Sequence, residues 1–172
     1  MVKIIDGENF KNMMLAAAAA IEEKKQEINE LNVFPVPDGD TGTNMSMTLN
    51  AAAAELMKFE KPTLGKAVDL TSSALLRGAR GNSGVITSLL FRGFGKRLKE
   101  LGGANAQEFA EALQEGVNTA YKAVMKPTEG TILTVSRLAA EGALKEAASN
   151  GEVDEVLSAA ITAAREALEN TV

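Results

Sequence analysis

Two aspartates separated by one residue, Asp38 and Asp40, lie in a short segment of small polar residues that ends at Asn44. Carboxylate oxygens are ligands that hard divalent cations such as Mg²⁺ prefer. Gly39 and Gly42 permit turns with positive φ, in which successive backbone N–H groups point to one side and can bind an anion. The same spacing also occurs in ordinary turns. The segment is therefore compatible with a plain turn or with a loop that holds a cation beside a phosphate.

Pro35 and Pro37 precede the two aspartates. Each proline fixes its own φ and disfavours helix at the residue before it. The approach to the aspartates is therefore expected to be stiff and non-helical, and Thr43 and Asn44 are expected to open the next helix.

Two later segments, 77–84 and 127–131, are also glycine-bearing connections that lead into apolar helices, at Ser83 and Thr131. Helix N-termini attract anions because their first N–H groups have no partner within the helix. Simple capping by these hydroxyls needs no ligand. Three such helix starts, one of them beside two carboxylates, are better explained by a nucleotide site. Arg77 and Arg80 would there neutralise phosphate charge or form a salt bridge that packs the loop.

The amino-acid composition limits the kinds of metal site and of catalysis that are possible. The 172 residues contain no cysteine and no histidine, so a metal must be bound by oxygen atoms, and thiolate or imidazole catalysis is excluded. A net charge of −5 and an aromatic content of 4% argue against a nucleic-acid partner. Without a long apolar span or an export signal, no membrane insertion is expected and the protein is predicted to be cytoplasmic.

Helical periodicity runs through the whole chain, which predicts an all-α fold. The seven predicted helices cover about residues 7–31, 44–58, 63–79, 83–101, 105–126, 131–149 and 153–168. Because the connections are short, neighbouring helices must run antiparallel as an up-and-down bundle. The second, fourth and sixth helices then begin at the same end, which brings Asp38, Ser83 and Thr131 together. The helices are also expected to fill their own core and to leave little room for a long apolar ligand.

Such a site suits phosphoryl transfer from a nucleotide, in which catalysis consists mainly of positioning and charge neutralisation. Asp38 and Asp40 are the predicted catalytic residues and would hold one or two Mg²⁺ ions. Ile86 and Ile132 could contact the adenine, although a core role is as well supported for each. The spacing of a P-loop and the ligand series of an EF-hand are both missing from the sequence.

Three long segments, 31–45, 77–86 and 127–135, resemble the N-terminal nucleotide-binding domain of the large subunit of bacterial fatty acid kinases. That family is related to the L subunit of dihydroxyacetone kinase. The resemblance implies an eight-helix antiparallel barrel that binds ATP and two Mg²⁺ ions at one end. It also implies a separate carrier protein that presents a bound fatty acid for conversion to acyl phosphate. Whether the full-length protein forms a homodimer is left open by the resemblance.

The resemblance assigns roles to individual residues. Asp38 and Asp40 match the metal-binding aspartates, and Asn32 is the polar residue nearest to a third metal ligand of the dihydroxyacetone kinase branch. The run 33–37 favours the fatty acid kinase branch. Including the backbone positions discussed above, the predicted nucleotide-binding residues are Thr41, Gly42, Thr43, Asn44, Gly81, Asn82, Ser83, Gly84, Ile86, Thr131 and Ile132.

The family continues into an eighth helix, a glycine-rich segment that closes the site, and further domains. Residues 1–172 are therefore expected to form a single ATP- and Mg²⁺-binding kinase domain that lacks its closing segment and is incomplete without its partner. Two other hypotheses stay open at this point. One is a dihydroxyacetone-type kinase L subunit, and the other is a non-catalytic nucleotide sensor or interaction module.

Overall fold

A computed structural model describes residues 2–33, 37–149 and 151–171. Pro35, which was expected to stiffen the acidic segment, lies outside the described residues, as do residues 34 and 36 of the run 33–37. The described chain forms seven α-helices and no strand beyond an isolated bridge between Ile5 and Ala104, which confirms the all-α prediction. The helices are α1 (Gly7–Glu30), α2 (Thr41–Leu56), α3 (Leu64–Gly78), α4 (Gly81–Leu98), α5 (Ala106–Ala123), α6 (Ile132–Ala148) and α7 (Val153–Glu169).

Local capping signals explain several helix starts. The Asp6 carboxylate accepts a hydrogen bond from the Asn9 N–H at 2.8 Å, and Asn105 forms the equivalent capping box with Glu108.

Other helix boundaries differ from the prediction. Helix α2 begins three residues before the predicted Asn44, because the residues from Thr41 onward already have helical geometry after the turn at Gly39. Helix α5 ends at Ala123, before the predicted limit near residue 126.

Contacts of the N-terminal segment show that the helices alternate in direction. Ile5 and Ala104 exchange backbone hydrogen bonds of 2.9 Å, which places the α4–α5 connection beside the start of α1. The Lys11 Nζ donates to carbonyls of the α2–α3 connection, and the Val153 N–H donates to the Val2 carbonyl at 3.0 Å. Three connections therefore lie at this end of the bundle. The starts of α2, α4 and α6 lie at the opposite end, as predicted.

An aromatic cluster lies in the core, and an apolar pocket lies beside it. Phe94 packs against the rings of Phe10, Phe109 and Phe91 at centroid distances of 5.8, 5.6 and 6.0 Å. Helices α1, α4, α5 and α6 line an apolar pocket of about 330 Å³ that is partly open to solvent, since Ala17 in its lining is exposed. Helical periodicity predicted a filled core and did not anticipate this pocket. The lining includes the small side chains of Ala17, Ala139 and Ala140, which leave space between the helices.

No helix in the described part of the chain combines the length and the apolarity that crossing a bilayer requires.

Candidate functional site

The two aspartates are exposed at the end of the bundle where α2 begins. Gly39, between them, has φ +64°, so the chain makes its turn at that residue. Asp40 occupies the N-cap position of α2, yet its side chain makes no capping hydrogen bond. Within the described residues, neither carboxylate takes part in a hydrogen bond or an ion pair. Both carboxylates are therefore available to bind a cation.

Side chains from the end of α1 anchor the first turn of α2. The Asn29 carboxamide accepts from the Thr43 N–H and donates to the Thr43 hydroxyl, both at 3.0 Å. The Asn32 Oδ1 accepts from the Thr41 N–H at 3.2 Å and from its hydroxyl at 2.7 Å. Asn32, the predicted third metal ligand, thus has its oxygen engaged within the protein. The sequence did not single out Asn29, because its role depends on how α1 packs against α2.

This anchoring changes how α2 could bind a phosphate. The Thr43 N–H is taken by Asn29, and the Asn44 N–H donates to the Asp40 carbonyl at 2.8 Å. The predicted phosphate contacts of Thr43 and Asn44 therefore depend on their side chains rather than on these backbone groups.

The starts of α2 and α4 are in direct contact. Gly81 has φ +60°, and a Cβ atom there would lie 2.6 Å from the Asn44 Nδ2, so only glycine fits without a rearrangement. The Arg80 N–H donates to the Thr48 Oγ1 at 3.1 Å, and that hydroxyl donates to the Asn44 carbonyl at 2.7 Å. Thr48 is fully buried. The sequence could have identified Thr48 as a hydroxyl residue on the apolar face of the second helix.

The first turn of α4 carries no side-chain cap. Its N-cap residue, Arg80, makes no capping hydrogen bond, and its guanidinium donates instead to the Ala79 carbonyl at 3.0 Å. Arg77 and Arg80 are both exposed, and the described residues contain no salt bridge of the kind considered for them. Asn82 is exposed, whereas Gly84 is buried against the Thr48 hydroxyl. This helix start remains accessible to an anion.

Ser83 is the third residue of α4 rather than its cap. Its hydroxyl makes no hydrogen bond to any residue that the structure describes. Ser83→Ala is therefore expected to change the free energy of unfolding by no more than about 0.5 kcal/mol, less than the loss of a true cap. If the hydroxyl binds a phosphate, the substitution weakens ATP binding but not adenosine binding. Thermal unfolding and calorimetric titration of both ligands test this, and equal weakening of the two would contradict it.

Thr131 is the N-cap of α6, as predicted. Its Oγ1 accepts from the Leu133 N–H at 3.3 Å and donates to the Thr128 carbonyl at 2.7 Å. Ile132 in α6 and Ile86 in α4 are both partly exposed. The described residues show no hydrogen bond between the α6 start and those of α2 or α4. The structure therefore brings two of the three predicted helix starts into contact and places the third at the same end.

The described chain is thus an all-α bundle with three helix N-termini and two unpaired carboxylates at one end. The sequence profile of the DAK2 domain matches residues 35–172, and the chain belongs to this family. The family is of the dihydroxyacetone kinase L-subunit type, a nucleotide-binding and kinase-associated class of domain.

Similar proteins occur in several bacteria. Protein YloV of Bacillus subtilis is 46% identical over 170 residues, which cover 99% of this chain and 31% of that protein. Uncharacterized proteins of Staphylococcus saprophyticus and of Staphylococcus aureus strain USA300 are 45% and 44% identical over 171 residues, again 99% of this chain and 31% of theirs. The chain thus spans less than a third of the length of these relatives.

Proposed function

We propose that this chain is the ATP- and Mg²⁺-binding domain of a fatty acid kinase, which transfers the γ-phosphoryl group of ATP to a fatty acid held by a separate carrier protein. One observation carries the proposal: two exposed, unpaired carboxylates lie beside the contacting starts of α2 and α4. The resemblance of segments 31–45, 77–86 and 127–135 to the fatty acid kinase branch supports this choice of substrate over dihydroxyacetone.

The donor set fits a hard cation. Asp38 and Asp40 supply carboxylate oxygens, and no third acidic side chain joins them in a cluster within the described residues. A Mg²⁺ ion held by these two carboxylates would need further ligands from water or from the nucleotide phosphates, as is usual for Mg²⁺ beside a nucleotide. When bound, the ion neutralises the negative charge that develops on the phosphates during transfer.

The protein's own groups would orient the nucleotide. The uncapped first turn of α4 offers backbone N–H groups and the Ser83 hydroxyl to phosphate oxygens. Thr43 and Asn44 would add side-chain donors from α2. Ile86 and Ile132, both partly exposed, would contact the adenine. Arg77 or Arg80 would help to neutralise the transferring phosphoryl group.

The acceptor needs no catalytic base. A fatty acid carboxylate is already ionised at pH 7, because its pKa lies near that of other carboxylic acids. One carboxylate oxygen forms the new bond to the γ-phosphorus, the bond from that phosphorus to the β–γ bridging oxygen breaks, and ADP leaves with the electron pair. The absence of histidine and cysteine is consistent with this chemistry. What the reaction requires is an acceptor held in line, and the carrier would provide that positioning.

The isolated chain is expected to bind ATP in the presence of Mg²⁺ but to form no acyl phosphate from a free fatty acid. Calorimetry with Mg²⁺ or with a chelator tests binding, and labelled ATP tests transfer. Robust acyl-phosphate formation by the 172 residues without a carrier would contradict the proposed role of the carrier.

The competing functions are separated by assays of a full-length relative. Transfer to a fatty-acid-loaded carrier but not to a dihydroxyacetone-loaded one supports the fatty acid kinase, and the reverse result supports the dihydroxyacetone-type kinase. Nucleotide binding with no transfer to either carrier would instead identify a nucleotide sensor.

A further inference from the structure

One carboxylate, that of Glu129, ties the connection between α5 and α6 to both helices. From the last turn of α5, the Tyr121 hydroxyl donates to Glu129 Oε1 at 3.0 Å. From the first two turns of α6, the Thr134 hydroxyl and the Arg137 Nη2 donate to Oε2 at 2.7 and 3.1 Å. Glu129 thus accepts three hydrogen bonds, although it lies in a loop.

The same contacts determine the path of the chain into α6. Gly130 follows Glu129 with φ +75°, and its N–H donates at 2.8 Å to the Thr134 hydroxyl, the same hydroxyl that donates to Glu129. The next residue is Thr131, the N-cap of α6, whose hydroxyl donates to the Thr128 carbonyl. Glu129 is therefore hydrogen-bonded to the same hydroxyl that holds the residue before the α6 N-cap.

The network adds little to overall stability. The side chains of Glu129 and Arg137 are 58% and 36% exposed, and ion pairs this exposed contribute little to the free energy of unfolding. Hydrogen bonds from Thr134, Arg137 and Tyr121 lower the pKa of the Glu129 carboxyl, so it is ionised at neutral pH. We therefore expect such a network to order the loop rather than to raise the free energy of unfolding.

We propose that Glu129 is a positioning residue, which holds the α5–α6 connection in the shape that nucleotide binding at the start of α6 requires. This inference rests on the proposed function, in which Thr131 and Ile132 contact the nucleotide. Glu129 need not touch the nucleotide itself.

Glu129→Gln tests the proposal, because a carboxamide has one acceptor oxygen where the carboxylate has two. The expected result is a loss of about tenfold in ATP affinity, the equivalent of one hydrogen bond, with the thermal midpoint nearly unchanged. Tyr121→Phe, which removes one of the three donors, should give a smaller loss. Glu141→Gln is the matched control, since Glu141 also binds Arg137, at 3.1 Å, but lies one turn farther along α6 and makes no hydrogen bond to the described residues of the connection.

Hydrogen exchange of the Gly130 amide gives a second readout that needs no nucleotide. We expect faster exchange in Glu129→Gln and unchanged exchange in Glu141→Gln. If the unsubstituted chain binds ATP and Glu129→Gln binds it equally well, the inference is wrong and the proposed function survives. If the unsubstituted chain binds no nucleotide, the proposed function fails and this inference fails with it. A similar loss of affinity in Glu129→Gln and Glu141→Gln would also overturn the positioning role.

Discussion

Replacing Asp38 or Asp40 with alanine is expected to abolish the Mg²⁺ dependence of ATP binding while the fold survives. Both carboxylates are exposed, and neither makes a hydrogen bond or an ion pair with a described residue, so their removal disrupts no packing. The loss of Mg²⁺-dependent affinity should reach about 100-fold or more, since removal of even an outer-shell partner of a metal ligand costs about 10- to 100-fold.

Calorimetric titration of ATP with Mg²⁺ and with a chelator measures this effect, and thermal unfolding monitors the fold. Asp69→Ala is a suitable control, because Asp69 is an exposed aspartate within α3 and away from the acidic segment. Two results would refute the assignment. One is Mg²⁺-dependent binding that persists in both aspartate variants, and the other is an equal loss of binding in the Asp69 variant.

Gly42→Ala is expected to destabilise the protein and to weaken nucleotide binding together. A Cβ atom at Gly42 would lie 2.0 Å from the Lys25 carbonyl oxygen and 2.9 Å from the Asn29 Oδ1. The Lys25 oxygen belongs to the backbone of α1, so it can move away from the new Cβ atom only if α1 and α2 move apart. Overpacking of this kind costs about 1–3 kcal/mol, occasionally more. The same movement would break the paired hydrogen bonds between Asn29 and Thr43 that anchor the start of α2.

Chemical denaturation gives the change in unfolding free energy, and titration with ATP gives the change in affinity. Gly102→Ala serves as the control, because a Cβ atom there would meet no atom within 4 Å, and its effect should stay within about 0.5 kcal/mol. A Gly42→Ala variant with the stability and the affinity of the unsubstituted chain would show that α1 and α2 do not depend on this close approach.

Much of the fold could be predicted because its signals are local. Apolar residues at helical spacing and capping residues such as Asp6, Asn105 and Thr131 identify seven helices and several of their starts. Short connections then require antiparallel neighbours, which is enough to place the starts of α2, α4 and α6 at one end. The spacing of the two aspartates and their glycine neighbours predicts a cation-binding segment from the sequence alone.

The contacts that shape the site could not be predicted in the same way. The sequence suggested Asn32 as a metal ligand and assigned no role to Asn29, Thr48 or Glu129. In the structure, the two asparagines anchor α2 from the end of α1, Thr48 joins α2 to the residue before α4, and Glu129 ties α5 to α6. Most of these hydrogen bonds link residues on different elements, so no spacing along the chain reveals them.

The sequence by itself therefore determined the helical class, the order of the helices, their common end and the presence of two carboxylates there. Tertiary structure decided which backbone N–H groups remain accessible at that end. The N–H groups of Thr41 and Thr43 in α2 are occupied by side chains of α1, whereas the first turn of α4 has no side-chain cap. Packing also left the partly open apolar pocket between α1, α4, α5 and α6. The physical reason is that packing between helices decides whether an N–H group is accessible and whether space remains between the helices. Residue spacing within a single helix does not specify that packing.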